Sequence, residues 1–250
     1  MTAVVLKANA KLTVSLRITG VRDDGYHLLD AEMVTLDLAD TVTFAEGSGV
    51  TALTMSGPFA AGIATDDSNL VVRALRLAER TAAVHVDKVI PSGGGLGGGS
   101  ADAAAVLRWA GVRDLALAAR LGADVPICMI GGRARVEGIG EILTPLPFEE
   151  RIYTLVTPPL AVSTIAAYRM WDELGGPRAQ GPNDLEPAAL AVEPRLAEWR
   201  DRIAEAVGSP PVLAGSGSTY FVDGDHLDVL GGACGGANVV LARTALVDPI

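Results

Sequence analysis

Pro91-Ser92-Gly93-Gly94-Gly95-Leu96-Gly97-Gly98-Gly99-Ser100 runs directly into Ala101-Asp102-Ala103-Ala104-Ala105-Val106-Leu107. Six glycines in seven positions against an Ala/Leu-rich segment read as a backbone loop feeding the first turn of a helix. At that point unpaired N–H groups and the helix dipole favour an anion, and phosphate is the expected one. Glycine is needed because a Cβ would keep the chain from wrapping a phosphate, and because such a cradle uses positive φ angles. A flexible linker would be a Gly/Ser repeat with polar flanks. Here Val84-His85-Val86-Asp87-Lys88-Val89-Ile90 alternates like a strand ahead of the loop. The expected order is strand, loop, helix.

Two common phosphate loops are absent or weakly matched. A Walker loop ends in Gly-Lys-Ser/Thr, and the chain contains no Gly-Lys pair. A dinucleotide fingerprint fits as Gly93-x-Gly95-x-x-Gly98, but six clustered glycines make that fit nearly automatic. It also requires an acidic residue ending a second strand about 20 residues on. Val112 to Arg120 reads instead as another helix.

Composition narrows the partners. The chain has 250 residues, a net charge near −10, half its residues apolar and a fifth charged. That is enough for a sizeable core in one large domain or two modest ones. The acidic balance argues against nucleic acid or an anionic membrane, and leaves room for an anionic small molecule in a local basic pocket. Lysines occur only at 7, 11 and 88, so a lysine inside a motif stands out. Cys128 and Cys234 have no metal spacing and are too few for a disulfide framework. His27, His85 and His226 assemble no metal cluster by spacing either. With no apolar run of 18 residues and no basic, then apolar, N-terminus, the expectation is a cytoplasmic protein in a reducing compartment.

Further stretches carry chemistry-bearing residues. Residues 3 to 18 alternate as two strands or one bent strand, with Lys11 in the middle. On pattern alone Lys11 reads as a solvated face position. Asp24-Gly25 is a hairpin turn followed by Tyr26-His27, where the tyrosine can be a plain cross-strand packing residue. Residues 29 to 57 give strands over Ala31 to Leu38, Thr41 to Ala45 and Val50 to Met55, with turns at Ala39-Asp40 and Gly47-Ser48-Gly49. Asp67 or Ser68 can cap a helix carrying Leu70, Val71, Ala74, Leu75 and Ala78 on one face. Gly122-Ala123-Asp124-Val125-Pro126 punctuates the chain before an apolar strand at Ile127 to Ile130, and Asp124 alone is compatible with a simple turn aspartate. Ser163-Thr164 caps a helix with Tyr168, Met170 and Trp171, and Gly215-Ser216-Gly217-Ser218 forms a tight loop between strands.

Pro-x-Gly-Gly-Gly-Leu-Gly-Gly-Gly-Ser-x-Asp-Ala-Ala resembles the nucleotide loop of the GHMP kinases, and the rest of the chain follows the family order. Ala10-Lys11-Leu12-Thr13-Val14 is similar to the first family motif, with Thr13 where an asparagine is usual. Arg22-x-Asp24-Gly25-Tyr26-His27 resembles the branch that phosphorylates a polyol carried on cytidine diphosphate. Gly-Ala-Asp-Val-Pro, Asn183-Asp184 and Gly-Ser-Gly-Ser match further motifs, and Asn69 stands just ahead of a helix as does a family residue near the nucleotide.

The resemblance implies an α+β, two-domain GHMP kinase fold. A ribosomal protein S5 domain 2-like N-terminal domain would cover 1–147 and a ferredoxin-like C-terminal domain 148–250. It implies ATP and Mg²⁺. Pro91, Gly93, Gly94, Gly95, Leu96, Gly97, Gly98, Gly99 and Ser100 would hold the nucleotide phosphates, with Ser100 near the metal. Lys11 and Asp124 would be catalytic, Asp124 taking the acceptor proton and Lys11 stabilising charge on the γ-phosphoryl. Thr13, Tyr26, His27, Tyr168, Gly215 and Ser216 would face the acceptor, with Tyr168 closing over its base. The expected protein is a monomer or weak homodimer. A GHMP kinase for mevalonate, homoserine or a sugar, and a catalytically idle nucleotide-binding homologue, remain alternatives. The loop-to-Asp124 distance also implies a trimmed helical hairpin at 106 to 120.

Overall fold

The computed structural model describes residues 3–45 and 51–247. The expected turn at Gly47-Ser48-Gly49 lies outside them. The chain opens with two long antiparallel strands, β1 (Ala3–Val21) and β2 (His27–Ala45), joined by the expected turn, where Gly25 takes φ +85°. Then come β3 (Ala52–Ser56), α1 (Leu70–Leu77), β4 (Ala83–Asp87), α2 (Gly98–Trp109), α3 (Leu115–Ala119), α4 (Val125–Ile130), β5 (Arg133–Gly138) and β6 (Ile142–Pro145). The second half contains β7 (Ile152–Thr157), α5 (Thr164–Glu173), α6 (Glu186–Val192), α7 (Leu196–Val207), β8 (Val212–Leu213), β9 (Tyr220–Asp223), α8 (Leu227–Ala233) and β10 (Asn238–Arg243).

Two sheets organise these elements in an α+β arrangement. In the first, β2 is central: β1 pairs along its length, while β4 takes residues 41–45 and β5 takes residues 29–34. The second sheet has the order β10-β7-β9-β8 with every neighbour antiparallel. That is the fourth-first-third-second order of a split βαβ, the ferredoxin-like pattern, with α6 and α7 inserted after α5.

The residues 3 to 18 segment is one bent strand. Its register on β2 slips between Asn9 and Lys11, between Thr13 and Ser15, and again near Ile18. Bulges bend a strand and re-aim its side chains, and the first two of these slips lie on either side of Lys11-Leu12-Thr13. At the first slip Lys11 N–H donates to the Leu96 carbonyl of the glycine loop at 3.0 Å. The loop is thereby held against the strand. α2 is buried along most of its length, and its Ala101–Leu107 stretch lies among Leu12, Leu75, Val86 and Ile127 in the main core.

Three expectations are corrected. Ile127 to Ile130 is not a strand but part of α4, with Pro126 at its first turn; a short apolar run buried on all sides carries no period to separate helix from strand. Ala39-Asp40 is not a turn, because β2 runs straight through it. The cap of α1 is Asn69, whose side chain accepts from Val71 N–H at 2.9 Å, while Asp66 takes Ser68 N–H.

Asp40 stays in the strand because it is neutralised there. Its carboxylate is fully buried and receives the Lys88 ammonium together with the Ile90 N–H at 2.8 Å. Lys88 also donates to Asp102 Oδ2 at 2.6 Å, so one ammonium ties β2, the entry to the glycine loop and the first turns of α2. Burial pushes the Asp102 carboxyl up to about 7, with the Asp40 charge adding to the rise and Lys88 opposing it. Among the described residues Asp102 Oδ1 has no hydrogen-bond partner. Two carboxylates share one cation here. Lys88→Met leaves like charges buried without it and is expected to cost about 3–5 kcal/mol in urea unfolding. Asp102→Asn, which leaves the Lys88–Asp40 pair neutral, is expected to cost no more than about 1 kcal/mol. Equal losses for the two variants would contradict this account of the cluster.

Candidate active site

The glycine loop makes a backbone cradle at the mouth of α2. Gly97, in the left-handed region at φ +71°, is the N-cap, and no side chain caps the helix. The first N–H in this helix to find a carbonyl is that of Ala101, bonded to Gly97 O at 2.8 Å. The amides before it are the donors that an anion at a helix N-terminus uses.

Glycine is demanded by neighbours at three points of the loop, the first being Gly94, where a Cβ would lie 2.7 Å from Thr219 Oγ1. A Cβ on Gly97 would lie 2.9 Å from Lys11 Cγ, and one on Gly95 only 2.2 Å from the Ala214 carbonyl oxygen. The loop therefore lies directly on the stem of Lys11 and on the backbone of the Gly-Ser-Gly-Ser segment. That segment is fastened to it by Thr219 N–H donating to Gly94 O at 3.2 Å. Asn183 holds the other side, with Nδ2 donating to Leu213 O at 2.8 Å and to Gly215 O at 2.7 Å. Asp184 accepts from Ile18 N–H at 3.1 Å and pairs with Arg17 at 2.7 Å, so the Asn183-Asp184 motif links this loop to β1.

Lys11 is 5 % exposed. Its Nζ lies 3.1 Å from Asp124 Oδ2 and donates to Thr13 Oγ1 at 3.1 Å. Asp124 stands at the N-cap of α4 with its side chain partly open to the cleft. Thr13 is the pattern's departure from asparagine, and here it serves as a partner of the ammonium. A Cβ on Gly215 would sit 3.6 Å from Lys11 Nζ, so this glycine forms the wall beside the ammonium. Ser216 Oγ is bonded to Thr164 Oγ1 at 2.9 Å, and Ser100 Oγ lies 4.0 Å from where a Gly122 Cβ would be, facing the segment that carries Asp124. Cys128, one turn along α4, is buried, and burial pushes its thiol well up; it is a packing residue.

Lys11, Thr13, Gly95, Gly97, Ser100, Asp124, Gly215 and Ser216 line one cleft of about 1520 Å³. So do Pro91, Gly93, Gly94, Leu96, Gly98, Gly99, Tyr26, His27 and Tyr168, which means that the structure brings every sequence-predicted site residue to a single cavity. One end is apolar, with Met55, Ile63, Leu70 and Ile90, and carries Asn69 and Arg73. The other end is aromatic. His27 packs on Tyr168 with ring centroids 4.8 Å apart and meets the edge of Trp171 at 5.5 Å. Tyr26 is 59 % exposed, with the Arg22 guanidinium 5.9 Å from its ring centre. Tyr168 closes on His27. Burial pushes its phenol up, and the nearby Asp124 charge adds to that.

Sequence reasoning missed Lys88, Asp40, Asp102 and Asp172. Lys88 carried a signal as one of three lysines in the chain, and Asp102 as the aspartate of the Ser-x-Asp-Ala-Ala motif. Among the described residues no group of three His, Cys, Asp or Glu side chains could hold a metal alone. No helix there is long and apolar enough to cross a membrane.

Residues 69–132 match the model of the GHMP kinases N terminal domain. A 4-diphosphocytidyl-2-C-methyl-D-erythritol kinase of Paracoccus denitrificans is 41 % identical over 233 residues, covering 86 % of this chain and 84 % of its own. One from Cereibacter sphaeroides is 39 % identical over 242 residues, covering 86 % and 87 %. A crystal structure of 4-(cytidine 5'-diphospho)-2C-methyl-D-erythritol kinase superposes with TM-score 0.77 at 29 % identity, over 97 % of this chain and all of that one. Methanococcus jannaschii mevalonate kinase shares the fold alone, with TM-score 0.61 at 11 % identity over 98 % and 99 % of the chains. At these identities over most of both chains, the protein is a small-molecule kinase that belongs to the GHMP kinases, in the 4-diphosphocytidyl-2-C-methyl-D-erythritol kinase family.

Proposed function

We propose that the protein transfers the γ-phosphoryl group of ATP to the 2-hydroxyl of 4-diphosphocytidyl-2-C-methyl-D-erythritol, giving the 2-phosphate and ADP in non-mevalonate isoprenoid precursor synthesis. The observation that carries this reading is the Lys11–Asp124 pair, 3.1 Å apart, in the same cleft as the open helix mouth and the His27 pocket. In phosphoryl transfer, catalysis is mostly alignment and charge stabilisation, and the cleft offers both. The amides of Gly97 to Ser100 bind the β- and γ-phosphates. The apolar end at Met55, Ile63 and Leu70 takes the adenine. The aromatic end takes the cytosine, placing the polyol between.

Asp124 accepts the proton of the acceptor hydroxyl as its oxygen bonds to the γ-phosphorus and the bond to the ADP oxygen breaks. Lys11 faces the transferring group and offsets its negative charge. Its ammonium is held by Asp124 and Thr13, and the glycine loop fixes its stem, so little reorganisation is needed. Ser100, whose hydroxyl faces the segment that carries Asp124, would help to hold a Mg²⁺ brought by ATP, and that ion would supply charge neutralisation to the phosphates. The intact Lys11–Asp124 pair argues against an idle homologue. Two free buried cysteines support a reducing, cytoplasmic setting.

ADP release with ATP, Mg²⁺ and the cytidyl acceptor, beside mevalonate, homoserine and no acceptor, tests the reading. Turnover with the cytidyl substrate alone is expected; turnover with another alcohol instead would overturn it. Asp124→Asn is expected to retain ATP binding and to lower kcat by about 100-fold or more, the scale of a positioned proton acceptor. Full activity in that variant would remove Asp124 from the mechanism.

A further inference from the structure

The ring of His27 is held by a residue that no motif announced. His27 opens β2 in the first half of the chain, and Asp172 lies near the end of α5 in the second. Nε2 of His27 and Oδ1 of Asp172 are 2.8 Å apart. The imidazole side chain is 10 % exposed and the aspartate 50 %. Tyr168, Trp171 and Asp172 stand at positions i, i+3 and i+4 of α5, so one helix face supplies the ring's stacking partner, its edge partner and its acceptor.

A carboxylate only accepts hydrogen bonds, so the proton of this contact sits on Nε2. In neutral imidazole the hydrogen bond of one nitrogen decides the role of the other, and Nδ1 is then an acceptor. Among the described residues Nδ1 has no hydrogen-bond partner, and it is not one of the sealed polar atoms. His27 lines the cleft, so Nδ1 is the ring atom left for a ligand.

We propose that Asp172 is a specificity-determining positioning residue. By drawing the imidazole proton to Nε2 it makes Nδ1 a lone-pair acceptor that selects an exocyclic amino group on a pyrimidine and rejects a carbonyl at the same place. Cytosine presents an amino group where uracil presents a carbonyl. Uracil would set two acceptors against each other, and an unpaired polar group in a closed site discriminates far more strongly than a missing methylene. Asp172 touches no substrate in this scheme; it acts through His27. The inference rests on the reading above that the acceptor carries a cytidine moiety.

The test uses the full-length enzyme and two acceptors that differ only in the base, cytidine- and uridine-diphosphate-linked methylerythritol. For wild type, kcat/KM is expected to favour the cytidyl acceptor by on the order of 100-fold or more. In Asp172→Asn the side-chain amide can donate to Nε2 and move the ring proton to Nδ1. This is expected to narrow the preference about tenfold or more, chiefly through the acceptor KM, and Asp172→Glu restores it. An Asn variant that melts normally and keeps the wild-type ratio would show that Asp172 merely latches α5 to β2, overturning the proposal. Wild type that turns over neither acceptor would remove the functional reading and this proposal with it. If the Asn chain does not fold, ¹⁵N shifts of the His27 ring in wild type decide: an Nε2–H tautomer supports the assignment and an Nδ1–H tautomer overturns it.

Discussion

The hydrogen bond from Lys11 N–H to the Leu96 carbonyl, 3.0 Å long, is the contact on which the site depends. A strand residue normally spends its N–H on a neighbouring strand. Here the register of β1 on β2 slips beside Lys11, freeing that amide for the glycine loop. The same residue then sends its stem under Gly97 and its ammonium to Asp124. Backbone, stem and charge of one lysine thus position the loop, the helix mouth behind it and the Asp124 carboxylate beside it.

The electrostatic design follows from placing few cations in an acidic chain. Net charge is near −10, so a phosphate-rich ligand is drawn by local groups against an unfavourable mean field. Two of the three lysines are buried at the loop, Lys11 against Gly97 and Lys88 against Gly98. Lys11 is turned to Asp124 and Thr13 in the cleft; Lys88 is consumed by Asp40 and Asp102 and pins α2 to the sheet. The open N–H groups at the helix mouth supply the remaining positive potential without adding charge. The second half of the chain closes the arrangement from the other side through Asn183, whose amide fixes Leu213 and Gly215, and through the aromatic face of α5.

Much of this was legible from residues in order, and the exceptions are instructive. The glycine run, the loop-to-helix reading and the bent first strand rest on local chemistry, in which glycine, alternation and turn residues act within a few positions. Lys11 and Asp124 each looked ordinary in isolation, a face lysine and a turn aspartate, and only the family resemblance paired residues so far apart. What stayed hidden depends on long-range neighbours. Asp40 resembled a turn residue because a charge inside a strand needs a partner 48 positions away, and Lys88 is that partner. The α4 segment had no period because its five consecutive residues Val125 to Met129 are all buried. Asp172 reads as a solvated helix residue until β2 brings His27 against it.

In the proposed reaction the acceptor hydroxyl is brought to Asp124 while its base sits at His27 and the phosphates of ATP lie on the mouth of α2. A crystal structure of the enzyme with the cytidyl acceptor and a non-hydrolysable ATP analogue tests it most directly. The account predicts the acceptor 2-hydroxyl about 3 Å from an Asp124 oxygen, within hydrogen-bond reach, with the γ-phosphate between it and the Gly97 to Ser100 amides. A complex in which the base occupies the apolar end at Met55 and Leu70, or in which the hydroxyl lies beyond reach of Asp124, would contradict it.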